Sequence, residues 1–127
     1  MQDDLVYLAS PYTHADKAVM EDRFRAACRY AACLMRRGIN VFSPIAHSHP
    51  IAQFGLPPDW QFWRPYGEKW LSLCTSMIVL MLPGWQVSEG VQAETDIMWR
   101  RGRRIEWHTE DGVVFQKRIK ELNDGRK

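Results

Sequence analysis

Glu94 is the residue whose type and position most clearly indicate chemistry. It lies at the end of the stretch MIVLMLPGWQVSEGVQAE, six residues after Ser88. Helical spacing places four small or apolar residues around it: Gly90, Val91, Ile97 and Met98. Burying an unpaired carboxylate costs several kcal/mol, and pairing, a raised pKa or an opening into a cleft avoids that cost. We therefore predict that Glu94 faces a functional site.

The residues before Glu94 predict how that carboxylate is positioned. The apolar run Met77–Leu82 has the length and composition of a buried strand, which Pro83 and Gly84 end. Ser88 is suited to cap the helix that follows, because its hydroxyl oxygen can accept a hydrogen bond from a first-turn amide. Gly84 and Gly90 would let a ligand approach the backbone closely. This arrangement predicts a small-molecule site at the carboxyl edge of a parallel sheet.

Histidine and aromatic residues are the next candidates. His47 and His49 lie two apart, as metal ligands on a strand could, but His14 and His108 are isolated and form no second ligand cluster. We therefore favour histidines that line a pocket or form structural hydrogen bonds, and we expect no metal. Four tryptophans flank the expected opening, where they could pack in the core or stack on a flat ring: Trp60, Trp63, Trp70 and Trp85.

The familiar nucleotide and nucleophile motifs are missing. The sequence contains no P-loop, no GxGxxG turn and no GxSxG elbow. Ser88 is therefore better explained as a helix cap or phosphate contact than as a triad nucleophile. Tyr7, within the first strand, could equally be a core aromatic. We expect no cofactor.

Secondary-structure patterns predict an α/β fold. Strands are expected at Leu5–Ala9, Ile39–Phe42, Met77–Leu82 and Arg103–Trp107, and helices at 15–37, 66–75, from Ser88 onward and at Val113–Leu122. Residues 45–65 show no clear period and are expected to form a partly helical excursion that walls a pocket. The alternation predicts one domain over residues 1–127, a doubly wound, flavodoxin-like or Rossmann-like parallel sheet of four to five strands with helices on both faces.

Composition excludes several classes of protein. The net charge of +2, from 17 basic and 15 acidic residues, gives little reason to expect a nucleic-acid partner. The arginine cluster at 100–104 is better explained by the dipole at a helix end. No apolar stretch reaches the ~20 residues of a membrane span, and no signal peptide is evident. We expect a cytoplasmic protein with no membrane partner, in which Cys28, Cys33 and Cys74 are reduced.

Several motifs together resemble a known superfamily. Tyr7 with ASPYTH, followed by LPGWQVSEGVQAE, resembles the nucleoside 2-deoxyribosyltransferases and the deoxynucleoside 5′-monophosphate N-glycosidases. YLASPYTHAD, VFSP, SHPI and VLMLPGW resemble more closely a bacterial and phage branch of that superfamily, over most of the chain. The resemblance implies a nucleoside or nucleotide as the small-molecule partner and a homodimer or homotetramer.

The resemblance also implies residue roles. Glu94 would attack the anomeric carbon and form a glycosyl-enzyme, and Tyr7 would orient its carboxylate. Ser88 matches the position that contacts a 5′-phosphate in the monophosphate hydrolases, where the transferases have an acidic residue. We assign substrate contacts to seven residues in or near these motifs: Ser10, His14, His47, Gly84, Trp85, Ser88 and Gly90.

One position departs from the superfamily pattern. Related proteins have an aspartate that helps to protonate the departing base, whereas this chain has Gly67 at that point, followed by Glu68. Glu68 could supply the proton, with a raised pKa if it is shielded from water. We expect hydrolysis, or less readily transfer, of the N-glycosidic bond of a nucleoside 5′-monophosphate. The alternative is a nucleotide-binding or sensing module that lacks turnover.

Overall fold

The computed structural model describes residues 4–116. Strands and helices alternate along most of this part of the chain. The elements in chain order are β1 (Val6–Ala9), α1 (Lys17–Arg36), β2 (Val41–Phe42), α2 (Pro44–Ala52), α3 (Trp60–Leu73), β3 (Ser76–Leu80), α4 (Glu89–Arg100), β4 (Arg104–His108) and β5 (Val114–Phe115).

The strands form one five-stranded sheet in the order β2-β1-β3-β4-β5. Strand β1 pairs in parallel with β2 and β3, and β3 pairs in parallel with β4. Only β5 is antiparallel, against β4. The order reverses at β1 and β3, which is the flavodoxin-like arrangement in which ligands bind beyond the carboxyl ends of the strands. The predicted fold class is confirmed.

Alternate residues of the central strands feed two apolar cores, one on each face of the sheet. Tyr7, Met77 and Val79 pack with residues of α3 and α4. Leu8 and Ile78 belong to the second core, which includes the buried face of α1. This division follows from the strand period of two, since successive side chains point to opposite faces. Helices therefore cover both faces of the sheet, as predicted.

Short polar side chains cap the first two helices. Asp16 caps α1 by accepting a hydrogen bond from the Ala18 amide at 2.9 Å. Ser43 caps α2 by accepting from the Ala46 amide at 3.1 Å, with Pro44 in the first helical position. The segment after β2 is therefore helical at once, and the predicted excursion consists of α2, a connection and the first turn of α3.

The chain end described by the structure differs from the prediction. We predicted a helix over Val113–Leu122, which is wrong at Val114–Phe115, because these residues form β5. The Thr109 amide donates to the Val113 carbonyl at 2.9 Å, which closes the turn that brings β5 alongside β4. The remainder of the predicted helix, from 117 onward, lies outside the described residues.

The three cysteines are free thiols, and Cys74 is fully buried. Within residues 4–116, no helix combines the length and apolar character needed to cross a membrane.

Candidate functional site

Tyr7 and Glu94 form a hydrogen-bonded pair at the carboxyl edge of the sheet. Tyr7 lies within β1, is 0% exposed, and donates its phenolic proton to Glu94 Oε2 at 2.7 Å. Glu94 is carried by α4, which packs on the same face of the sheet. One carboxylate oxygen is therefore held by the tyrosine. The other, Oε1, takes no part in that bond.

Gly67 of α3 lies directly against this pair. A Cβ atom at position 67 would be 3.2 Å from Tyr7 Oη and 3.3 Å from Glu94 Oε2. Those distances are shorter than ordinary van der Waals contacts, so any larger side chain would displace the two hydrogen-bonded oxygens. Gly67 thus lets α3 approach the Tyr7–Glu94 pair closely.

Burial changes the acidity of both groups. Desolvation raises the pKa of Glu94 to about 7, although the hydrogen bond from Tyr7 acts in the opposite direction. Burial, followed by the charge and hydrogen bond of Glu94, raises the pKa of Tyr7 well above its ordinary value. Tyr7 therefore keeps its proton as a permanent donor, and Glu94 changes its charge near neutral pH.

The pair opens into a cavity of about 500 Å³. That volume is in the range of small-molecule sites in proteins. Residues from the loop after β1, from α2, from α3 and from the start of α4 line it, and they include Tyr12, His49, Trp60, Trp63 and Ser88. Ser10 also lines the cavity, is 7% exposed, and has a hydroxyl with no hydrogen-bond partner among the described residues.

The start of α4 forms one part of the cavity wall. Ser88 caps the helix by accepting a hydrogen bond from the Val91 amide at 3.3 Å. Trp60 packs so closely on Gly90 that a Cβ atom there would be 2.9 Å from the indole Cδ1. The Arg64 guanidinium carbon lies 5.5 Å from the centre of the Trp60 ring. A helix N-terminus, a flat ring and a cation thus meet at one place.

The structure brings some of the predicted site residues together and leaves others apart. Tyr7, Ser10, Ser88, Gly90 and Glu94 all line the cavity. The other five are not among its lining residues in the described chain: His14, His47, Glu68, Gly84 and Trp85.

Each of those five has a different environment. Glu68 is half-buried and accepts a hydrogen bond from Arg64 Nε at 3.0 Å. His14 Nδ1 accepts from the Asp16 amide at 2.9 Å. The rings of Phe42 and Trp70 lie within 6 Å of the His47 ring, at 5.7 and 5.9 Å. Trp85 packs against the core that contains Tyr7.

Gly84 has a backbone role that its sequence position alone did not reveal. Its φ is +93°, in the left-handed region that side chains disfavour. A Cβ atom there would be 2.8 Å from Arg23 Nη2. Arg23 in turn donates to the Pro83 carbonyl at 3.0 Å, which ties α1 to the loop after β3.

A family model described as "Domain of unknown function (DUF1937)" matches residues 4–110. The chain belongs to this family. No curated protein matches the chain in sequence.

A solved structure shares the fold of this family member. It comes from the characterisation of a 2-deoxyribosyltransferase from the psychrotolerant bacterium Bacillus psychrosaccharolyticus. The sequence identity is 18% and the TM-score is 0.57, with 91% of this chain and 79% of the other chain covered. At that identity the likeness establishes the fold, a flavodoxin-like α/β sheet.

A second polar cluster reaches the cavity, and no pattern in the sequence indicated it. His49 is 9% exposed and connects Tyr12, which precedes α1, with Glu21 of α1. His47 and His49, whose spacing would suit metal ligands on a strand, both lie on α2, within the segment predicted to be partly helical, and their rings contact different neighbours. Among residues 4–116, no three His, Cys, Asp or Glu side chains group in a way that could hold a metal ion.

Proposed function

We propose that the protein hydrolyses the N-glycosidic bond of a nucleoside 5′-monophosphate, with Glu94 as the nucleophile. The observation that carries the proposal is the Tyr7–Glu94 hydrogen bond of 2.7 Å at the edge of a cavity large enough for a nucleotide. The sequence motifs and the fold shared with a 2-deoxyribosyltransferase support nucleosides as the chemical class.

The reaction needs an ionised carboxylate at the anomeric carbon. Glu94 Oε1 would form a bond to C1′ as the bond from C1′ to the base nitrogen breaks, and water would then release the sugar. Tyr7 holds Oε2, which fixes the orientation of the carboxylate and reduces the cost of its charge. Because the pKa of Glu94 is about 7, roughly half of the molecules have the ionised nucleophile at neutral pH.

The start of α4 supports a phosphorylated substrate. Backbone amides at a helix N-terminus and the Ser88 hydroxyl are donors suited to phosphate oxygens. Arg64 lines the same cavity, and its guanidinium, whose Nε pairs with Glu68, retains further N–H donors. We propose that Ser88 and Gly90 contact the 5′-phosphate, and that Trp60 packs nearby.

The remaining cavity wall supports binding of a flat base. Trp63 and Trp70 line the cavity, and indole rings stack readily on nucleobases. Ser10 has an unpartnered buried hydroxyl in the same cavity, so it can donate to or accept from a base or sugar without breaking an existing hydrogen bond.

The oligomeric state is also part of the proposal. Phe54 is 91% exposed and Val87, which lines the cavity, is 81% exposed. Large apolar side chains that are this exposed are consistent with contacts between copies of the chain. We propose a homodimer or homotetramer, which light scattering after gel filtration would test.

A panel of nucleosides and nucleoside 5′-monophosphates, ribo and deoxy, tests the proposed function. Chromatography after incubation with the wild type is expected to show free base from at least one 5′-monophosphate, and less from the matching nucleoside. Adding a second free base would separate hydrolysis from transfer, because transfer would produce a new nucleotide. Absence of free base across the whole panel would contradict the proposal.

The second candidate function is nucleotide binding without turnover. The observation that favours it is Gly67, which puts no acid beside Glu94 at the position where the superfamily pattern has an aspartate. Calorimetric binding of a nucleoside 5′-monophosphate, together with no base release over many hours, would establish this function instead.

A further inference from the structure

Tyr12, His49 and Glu21 form a continuous hydrogen-bonded relay that ends in the cavity. Tyr12 Oη lies 2.6 Å from His49 Nδ1, and His49 Nε2 lies 2.9 Å from Glu21 Oε1. Tyr12 and His49 both line the cavity that contains Glu94. The relay joins three separate parts of the chain, since Tyr12 precedes α1, Glu21 lies on α1 and His49 lies on α2.

The chemistry of the three groups sets the direction of the hydrogen bonds. An ionised carboxylate only accepts, so His49 Nε2 donates to Glu21. In the neutral imidazole Nδ1 then carries a lone pair, and the Tyr12 hydroxyl donates to it. When His49 carries a proton on both ring nitrogens, Nδ1 donates to Tyr12 Oη instead. The Tyr12 O–H group can then point into the cavity and donate to a ligand. The relay therefore has one state that accepts a proton from the cavity and one that donates a proton to it.

The surroundings hold this relay in place. The His49 ring stacks on Phe24 of α1 with 4.2 Å between ring centroids. The second oxygen of Glu21 pairs with Arg25 Nε at 3.1 Å. Arg23 donates to the Tyr12 carbonyl at 3.3 Å and so fixes the loop that carries the phenol. The charged or titratable groups that contact the imidazole are therefore Glu21 and Tyr12, and burial raises the pKa of Tyr12.

We propose that Tyr12 is the proton donor to the departing base. His49 and Glu21 are the positioning residues, and His49 returns a proton to Tyr12. This inference rests on the proposed glycosidase function. It assigns the acid role that is left open because position 67 is a glycine and because Glu68 pairs with Arg64 and does not line the cavity.

The proton balance closes over one turnover. The first step begins with Glu94 ionised and His49 protonated on both ring nitrogens. Glu94 bonds to C1′, the bond from C1′ to the base nitrogen breaks, and Tyr12 gives its proton to the base while His49 Nδ1 returns a proton to Tyr12, which leaves His49 neutral. In the second step water attacks C1′ and the Glu94 ester bond breaks. The proton of that water passes to Tyr12, whose own proton passes to His49 Nδ1. The net change is addition of water across the glycosidic bond, with all three relay residues restored.

The chain contains a matched control for this relay. Tyr30 Oη lies 2.5 Å from His108 Nδ1, and His108 Nε2 lies 2.9 Å from Glu106 Oε1. This second set has the same three residue types and the same connectivity, but none of its members lines the cavity that contains Glu94. Tyr30→Phe therefore removes a tyrosine–histidine hydrogen bond, as Tyr12→Phe does, but outside the cavity.

The test compares these two variants on substrates that differ in their need for a proton. For a purine, the pair is 2′-deoxyguanosine 5′-monophosphate and its N7-methyl derivative, whose cationic base departs neutral. For a pyrimidine, the pair is 2′-deoxyuridine 5′-monophosphate and its 5-fluoro derivative, whose base is a better leaving group. We expect Tyr12→Phe to lower base release about 100-fold or more on the unmodified nucleotide and much less on the modified one.

The outcomes separate the inference from the function it rests on. We expect His49→Gln to follow the Tyr12→Phe pattern with a smaller loss, and Tyr30→Phe to keep wild-type activity on both substrates. Equal losses on both substrates in Tyr12→Phe would indicate a structural role, and no loss would exclude Tyr12 as the donor; either result overturns the inference while the glycosidase stands. A wild type that releases no base from any nucleotide of the panel that tests the proposed function would overturn both.

Discussion

Replacing Glu94 with glutamine should stabilise the protein above neutral pH. Glutamine keeps the shape of glutamate and an oxygen that can accept the Tyr7 hydrogen bond, but it carries no charge to desolvate. The pKa of Glu94 is about 7 in the folded protein against 4.5 for an unperturbed glutamate. The folded state therefore binds the proton more tightly than the unfolded state, and stability falls as pH rises from about 4.5 to about 7.

The size of the effect follows from that difference. About 2.5 pH units at about 1.4 kcal/mol each give an upper limit of about 3.5 kcal/mol. Glu94 is only partly buried and faces a cavity, so we expect about 2 kcal/mol. The free energy of unfolding of Glu94→Gln should thus be close to that of the wild type near pH 4.5 and about 2 kcal/mol higher at pH 8.

Urea unfolding of both proteins at pH 5 and pH 8 measures this difference, because contributions from other titrating groups cancel. Glu110→Gln serves as the control, since Glu110 is exposed in the turn between β4 and β5. That variant should retain the wild-type fall in stability between the two pH values. A Glu94→Gln difference that is the same at both pH values would refute the argument that Glu94 is desolvated.

Three further predictions concern the site and its support. Tyr7→Phe removes the hydrogen bond that lowers the pKa of Glu94, so that pKa should rise. The pH at which base release reaches half its maximum, about 7 in the wild type, should move upward, and an unchanged pH profile would contradict this. Ser88→Ala should lower the free energy of unfolding in urea by about 1 kcal/mol through loss of a helix cap. It should also weaken binding of a 5′-monophosphate, measured by calorimetry, more than binding of the nucleoside. Equal weakening of both ligands would exclude the phosphate contact. Gly84→Ala should lower the free energy of unfolding by about 1 to 2 kcal/mol, because φ is +93° and the new methyl group would contact Arg23. A variant as stable as the wild type would show that the loop relaxes freely.

Much of the fold could be predicted because its signals are local. The run Met77–Leu82 and the apolar stripe of α1 have the periods of a buried strand and an amphipathic helix, and these elements lie close to where the patterns place them. Strand β5 could not be predicted in this way. Its two residues gain their conformation from pairing with β4 and from the turn at Thr109, which a local helical pattern does not reveal.

Residue patterns alone indicated the site most clearly at one position, where a residue conflicts with its own pattern. Glu94 interrupts an apolar helix face, and this local conflict pointed to the site. Tyr12, His49 and Glu21 conflict with nothing in their own segments, and 28 residues separate Glu21 from His49. Their association depends on how α1 and α2 pack together. The contacts between Gly67 and the Tyr7–Glu94 pair likewise arise from tertiary packing.

The most direct test of the central claim is the rate of base release by Glu94→Gln on a nucleotide that the wild type cleaves, with calorimetry to confirm that both proteins bind it. If Glu94 is the nucleophile, the variant should bind the nucleotide and release base at least about 1,000-fold more slowly than the wild type. A variant that binds the nucleotide and cleaves it at the wild-type rate would contradict the role of Glu94.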